Sequence, residues 1–471
     1  MKKMNKYRMM MEAPIPGLIC RLAAPTIISM LVTALYNMAD TYFVGRISTS
    51  ASAAVGVVYA LMAIIQACGF FFGHGSGNYI SRALGAKDDE KAARMAATGF
   101  FSALITGTAL GAAGLLFIRP LARLLGSTDT ILPYAVDYMR FILMGTPFMM
   151  ASLVLNYQLR FQGSAAYAMV GIASGAILNI ALDPILIFAL NMGIAGAAIA
   201  TVTSQLVGFV LLLVGTSRGG NLRIRFKNFT PRAEYFMAIF NGGLPSLCRQ
   251  GLGSVGTIFL NHGAAIYGDA AVAAMSIVTR IVMFANSCVI GFGQGFQPVC
   301  GFNYGAKRYD RVKAAFWFCV RTATIFLCAA AVIGFIFAPA LVGFFRKGDA
   351  EVAAIGSAAL RAQCVTFPLS AWIVMCNMEM QTIGKSVRAS FLAMARQGLF
   401  FVPAVLILPR LMGLFGLEIS QAVADAITFA VSIPLQIGVL REMDAANQPY
   451  ARMKGYGRRR SPSTPLPKIN F

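Results

Sequence analysis

Leu84-Gly-Ala-Lys-Asp-Asp-Glu90 and Tyr304-Gly-Ala-Lys-Arg-Tyr-Asp310 stand 220 residues apart, and the same spacing orders the sequence around them. It pairs Pro25 with Pro245, Ala53-Ala54 with Ala273-Ala274, Gly73-x-Gly75 with Gly293-x-Gly295, and Gly193-x-x-Gly196 with Gly413-x-x-Gly416. Between positions 51 and 87, 11 of 37 residues are identical to their partners without a gap. Chance would give roughly three in so biased a composition. The chain is therefore a tandem duplication. The copies differ where charge is concerned: Asp40 falls opposite Leu260, and Asp183 opposite Pro403.

Each of the two loops closes a long apolar segment. The chain is 58% hydrophobic and 12% charged, with a mean hydropathy of +0.68. Runs such as Phe100 to Ile118 and Gly193 to Gly215 carry almost no charge and are long enough to cross a hydrocarbon core as helices. The fold class read from this pattern is an all-α membrane protein, with 12 transmembrane helices in two pseudo-symmetric six-helix bundles around a central cleft. Helices are expected at 17–45, 51–80, 93–118, 131–159, 165–190 and 193–215, then at 238–266, 270–300, 312–338, 350–381, 386–409 and 413–440. Residues 1–16 form a cytoplasmic N-terminal segment, 17–215 one lobe, 216–237 a basic linker, 238–440 the second lobe, and 441–471 a disordered basic tail. The linker invites a helix lying on the membrane surface.

A net charge of +22 does not mark a nucleic-acid binder here. Lys and Arg fall in alternate loops between apolar runs, the positive-inside pattern, which places both termini in the cytoplasm of a bacterial-type inner membrane. The nine cysteines are scattered through apolar segments without CxxC or Cys/His spacing, so neither zinc nor a disulfide framework is indicated. The basic start (Lys2, Lys3, Lys6, Arg8) precedes an apolar segment too long for a signal h-region, so the first helix is retained. Gly85 and Gly305 are read as permitting a tight helix exit, with Lys87 and Lys307 anchoring each end among headgroups. The Gly-x-Gly pairs have no preceding strand and serve helix packing, not nucleotide binding.

Two segments carry intramembrane acids. In the first helix, Tyr36-Asn-Met-Ala-Asp40-Thr-Tyr-Phe-Val-Gly45 follows Pro25, whose missing N–H leaves a natural bending point. Asn37 shares a face with Asp40. The bland alternative is an acid solvated at the outer interface, close to Arg46. In the fifth helix, Leu178-Asn179-Ile-Ala-Leu-Asp183-Pro184 puts an amide and a carboxylate one turn apart. Pro184 cannot donate to the Ile180 carbonyl, leaving another oxygen nearby. Converging oxygens suit Na⁺, and a buried carboxylate could equally hold a proton. Otherwise Asn179 merely caps a kinked helix.

The YNMADTYFVG segment, LNIALDP with the following GIAGAAIATV, the paired GAK loops and RQGLFFVPAVLILP together resemble the multidrug and toxic compound extrusion (MATE) family, in its DinF-like branch. The likeness runs from about Pro14 to Leu440. It implies export of drugs in exchange for Na⁺ or H⁺, no cofactor, and a cation site formed by Asp40, Asn179 and Asp183 with Thr201 and Asn156. It also implies that the first helix bends at Pro25.

Other residues are sorted with less support. Glu379 is read as reaching the cytoplasmic interface near Lys385, and Asp425 as facing the cleft; either could serve a second site. Met149, Met150, Met283, Phe284 and Gln294 are candidates for the substrate cleft, alongside Asn37. His74 and His262 lack ligand-spaced partners and are read as cavity lining or packed polar residues. The expected function is a monomeric, non-enzymatic secondary antiporter for amphipathic, cationic, drug-like compounds. A lipid-linked precursor flippase is the alternative, disfavoured because few Arg residues lie inside helices. A membrane-embedded enzyme is a further alternative and lacks a convergent catalytic cluster.

Overall fold

The computed structural model describes residues 6–345 and 349–458. Among these, twelve long helical segments follow one another: α1 (Ile15–Gly45), α2 (Thr49–Gly85), α3 (Asp89–Leu116), α4 (Leu132–Phe161), α5 (Ala165–Pro184) and α6 (Gly193–Thr216), then α7 (Ala233–Ala265), α8 (Asp269–Gly305), α9 (Tyr309–Ile336), α10 (Ala350–Thr382), α11 (Ser386–Met394 continuing through Phe401–Met412) and α12 (Leu414–Arg458). Eleven are long and apolar enough to cross a membrane. The exception, α7, carries Arg249, Gln250, Asn261 and His262 along its length. A single π-turn at Ile185–Ala189 follows α5, and another at Ala395–Leu399 interrupts α11.

The helices outrun the apolar stretches because polar caps extend them. Ser48 accepts from Ala51 N at 3.0 Å and Asp88 from Lys91 N at 3.0 Å, each satisfying a donor that the first turn leaves unpaired. At the other end, the tail expected to begin disordered at 441 begins helical instead, since α12 continues past Arg441. There Glu442 pairs with both Lys385 and Arg388. Residues 459–471 lie outside the described part of the chain. In the linker, the surface helix is no more than a 3₁₀ turn at Phe226–Asn228.

The duplication is visible in the packing. α4 is the central helix of the first lobe, against α2, α3 and α6; α10 occupies the same place in the second, against α8, α9 and α12. The lobes meet through two equivalent pairs, α1 on α8 and α2 on α7. Glycine makes these approaches possible. A Cβ on Gly295 would sit 2.6 Å from Ala23 Cα, and one on Gly75 would strike the Ile239 backbone.

The GAK turns correct the reading of their glycines. The positive φ angles belong to Lys87 (63°) and Lys307 (57°), whereas Gly85 and Gly305 are the last residues of α2 and α8. Gly85 packs onto the Phe302 carbonyl and Gly305 onto the Arg82 carbonyl, the same contact made twice across the pseudo-twofold. Arg82 also donates to the Thr382 carbonyl. The loop end of the bundle is thus shut. A short helix, Lys6–Glu12, straps this end: Asn303 donates to the Met10 carbonyl at 3.3 Å, Arg308 to that of Met11 and Arg311 to that of Ala13, both at 2.8 Å. At the opposite end, Tyr59 and Met283 are 57% and 59% exposed, so the cleft stands open there.

Candidate functional site

The first lobe encloses a cavity of about 240 Å³ reached by α1, α2, α4, α5 and α6. Asp40, Asn37, Asn156, Asn179 and Thr201 all border it, as does Met149. Asp183 lies fully buried one helical turn beyond Asn179, within electrostatic reach of Asp40. With the Asn179 amide oriented to satisfy both neighbours, its nitrogen donates to Asp183 Oδ2 at 3.0 Å and its oxygen accepts from Thr201 N at 3.2 Å. Tyr36 and Tyr138 both approach the Thr201 hydroxyl. Asp40 Oδ1 and Asp183 Oδ1 are buried and have no hydrogen-bond partner. Two unsatisfied carboxylate oxygens beside an amide and a hydroxyl are a donor set that fits a hard cation or a proton.

Asn156 borders this cavity with its amide nitrogen committed elsewhere. It donates to the Ala168 carbonyl at 3.0 Å, and Asn377 donates to the Ala389 carbonyl at 2.7 Å in the second lobe. A bond present in both repeats braces α4 on α5 and α10 on α11, whether or not acids are nearby. Pro25 sits inside an unbroken α1. One residue later, Thr26 Oγ1 lies 2.6 Å from the Gly291 carbonyl, so this part of α1 is tied to the other lobe. Pro184 hands α5 to the π-turn at Ile185–Ala189.

Among the described residues, the second lobe holds no counterpart of the paired acids, and its own acids are placed differently from the sequence reading. Glu379 does not reach an interface; it is fully buried and accepts from Gln436. The nearby Lys385 turns to Glu442 instead. Asp425 is not a free acid of the cleft. Arg396 Nε holds its Oδ1 at 2.9 Å, Gln421 donates to the same oxygen at 3.0 Å, and Ser370 donates to Oδ2 at 3.2 Å.

A larger cavity of about 790 Å³ lies between the lobes and shares Tyr59 with the smaller one. Met283 lines it; Phe284 and Gln294 do not. Gln294 is buried against Arg160, and Met150 belongs to the core of the first lobe. His74 packs on the Tyr157 ring at 4.1 Å as a buried polar residue. Among the described residues, no group of His, Cys, Asp or Glu is arranged to hold a metal ion in the usual multi-ligand way. Sequence reading did not single out Arg249 and Arg396, which line the larger cavity. Their relation appears only when α7, α10 and α11 are brought together.

Two repeated six-helix lobes, a polar cavity buried in one and a cleft open at one end define a polytopic membrane transporter. The MatE family model matches residues 25–185 and 245–406, and the chain belongs to that family of efflux transporters. It is similar to the multidrug export protein MepA of Staphylococcus haemolyticus (strain JCSC1435), 28% identical over 408 residues that cover 86% of this chain and 89% of that protein. Among solved structures, a MATE protein in complex with MaL6 superposes with a TM-score of 0.89 at 27% identity, covering 94% of this chain and 100% of the other. The outward-facing conformation of a multidrug resistance MATE family transporter of the MOP superfamily gives 0.88 at 27% identity, with the same coverage.

Proposed function

We propose that the protein is a secondary antiporter of the inner membrane, exporting amphipathic drug-like compounds in exchange for Na⁺ or H⁺, with both termini cytoplasmic. The observation that carries this reading is the pair of buried, unpartnered oxygens on Asp40 and Asp183 around Asn179 and Thr201. With the termini inside, a bundle shut at its loop end is the outward-open state. A cation entering there binds the two acids and removes their mutual repulsion, which alters how α1 packs on α5. Because Thr26 and Gly295 tie α1 to α8, a bend at Pro25 acts on the contact between lobes. The lobes rock, the loop end opens, and drug displaces the cation. Each ligand drives its half of the cycle only through a higher affinity for the state that it promotes.

The test is export of an amphipathic zwitterion such as norfloxacin from proteoliposomes carrying an imposed Na⁺ or pH gradient of either sign. Efflux that follows one gradient and stops when it is dissipated supports exchange. Efflux indifferent to both gradients contradicts it.

A further inference from the structure

The duplication has diverged into opposite charges. Where the first lobe has Asp40 and Asp183, the second has Leu260 and Pro403; where the second has Arg249 and Arg396, the first has Ser29 and Ala176. Both arginines line the 790 Å³ cavity, and no Asp or Glu is among its lining residues. Asp425 neutralises Arg396 from behind. Arg249 has no such partner: among the described residues its one hydrogen bond is to Asn377 Oδ1 at 3.3 Å, and no carboxylate pairs with it. The Asn377 amide is itself pinned to the Ala389 carbonyl, which fixes the oxygen that orients the guanidinium. Arg396 lies close enough for the two cations to repel each other. A half-buried guanidinium that lines the open cleft with no carboxylate beside it is placed to pair with an anion that enters there.

We propose that this cavity is a binding site for the oxyanion of an amphipathic ligand, with Arg249 as the principal contact and Arg396 as the second. Guanidinium groups bind carboxylate and phosphate oxygens in pairs. Ile258, Ile290, Ile373 and Met378 supply an apolar wall for the rest of the molecule, and the volume suits a drug-sized ligand. The inference rests on the transporter reading and narrows its substrate class: the acidic cavity takes the coupling cation, and the basic one takes an organic anion or the anionic end of a zwitterion.

The experiment measures equilibrium binding to full-length protein in phosphatidylcholine vesicles with no ion gradient, protein-free vesicles being subtracted. The probes are 2-naphthoate, 2-naphthyl phosphate and 2-naphthylmethylammonium, which share one apolar body. Saturable binding of the two anions, weakened about tenfold or more by Arg249→Gln, is the expected result. Gly253→Asp supplies the missing carboxylate one turn along α7, where an added Cβ meets nothing nearer than 4.0 Å, and is expected to weaken the anions equally, while Arg249→Lys retains part of the binding and so reports on folding. Adding phosphatidylglycerol separates the sources of the oxyanion. Competition assigns the site to a lipid headgroup, and its absence to a free organic anion, each through Arg249. Anion binding that is indifferent to Arg249→Gln and Gly253→Asp, or equal binding of the ammonium probe, overturns the proposal. Since no gradient is applied, failure here leaves gradient-driven export standing, and failure of export leaves this result standing.

Discussion

The amide nitrogen of Asn179 lies 3.0 Å from Asp183 Oδ2. That bond fixes one oxygen of the carboxylate and leaves the other, Oδ1, buried without a partner. A hydrogen bond to a charged group contributes about 1.5–3 kcal/mol and favours the ionised carboxylate, so Asn179→Ala is expected to shift the cation dependence of gradient-driven export by roughly tenfold or more: towards lower proton concentration with H⁺, and towards higher concentration with Na⁺, which needs the carboxylate held in place. Initial export rates measured against cation concentration check this. A curve superimposable on that of the unaltered protein would sink the role given to Asn179.

The Gly85–Phe302 and Gly305–Arg82 contacts hold the loop end shut without room for a side chain. Gly305→Val is expected to favour the state open at that end. Cys300 is fully buried one turn earlier on α8 and provides the readout. Maleimide labelling of Cys300, followed by peptide mass spectrometry, should rise several-fold in the variant. Unchanged labelling would mean that the closure does not depend on these glycines.

Arg396 and Asp425 form an ion pair whose side chains are 15% and 5% exposed. Removing one partner of such a pair costs about 3–5 kcal/mol, because the other charge is left buried. Arg396→Gln is expected to lower the unfolding temperature in detergent clearly, and Arg396→Gln with Asp425→Asn to recover most of the loss. Equal losses in the single and double variants would refute the coupling.

The N-terminal strap has its own pH dependence. Burial beside Asn221 pushes the Lys6 ammonium down to about 8, from an ordinary value of 10.5. The docked form therefore binds fewer protons than the released form between these values, and docking strengthens as pH rises from about 8 towards 10.5. Limited proteolysis should release the first residues more slowly at the alkaline end of this window. Lys6→Met should abolish the dependence.

Much of the fold was legible because membrane helices are written as long apolar runs, and the duplication repeated the evidence. The pair on α5 was legible too, since Asn179 and Asp183 are one turn apart on a single helix. What failed to show were partnerships between distant positions. Asp425 passed for a free acid because Arg396 stands 29 residues away on α11. Glu379 was drawn to the interface by Lys385 because spacing along the chain does not reveal that Gln436 covers it. Arg249 and Arg396 were two dispersed arginines until the fold set them around one cavity.

The most direct test of the central claim compares Asp40→Asn and Asp183→Asn with the unaltered protein, reconstituted at equal density, for export driven by whichever cation gradient powers it. Each amide keeps the shape of the side chain and removes its charge. The account predicts that both variants lose gradient-driven export. Full export by both would contradict it.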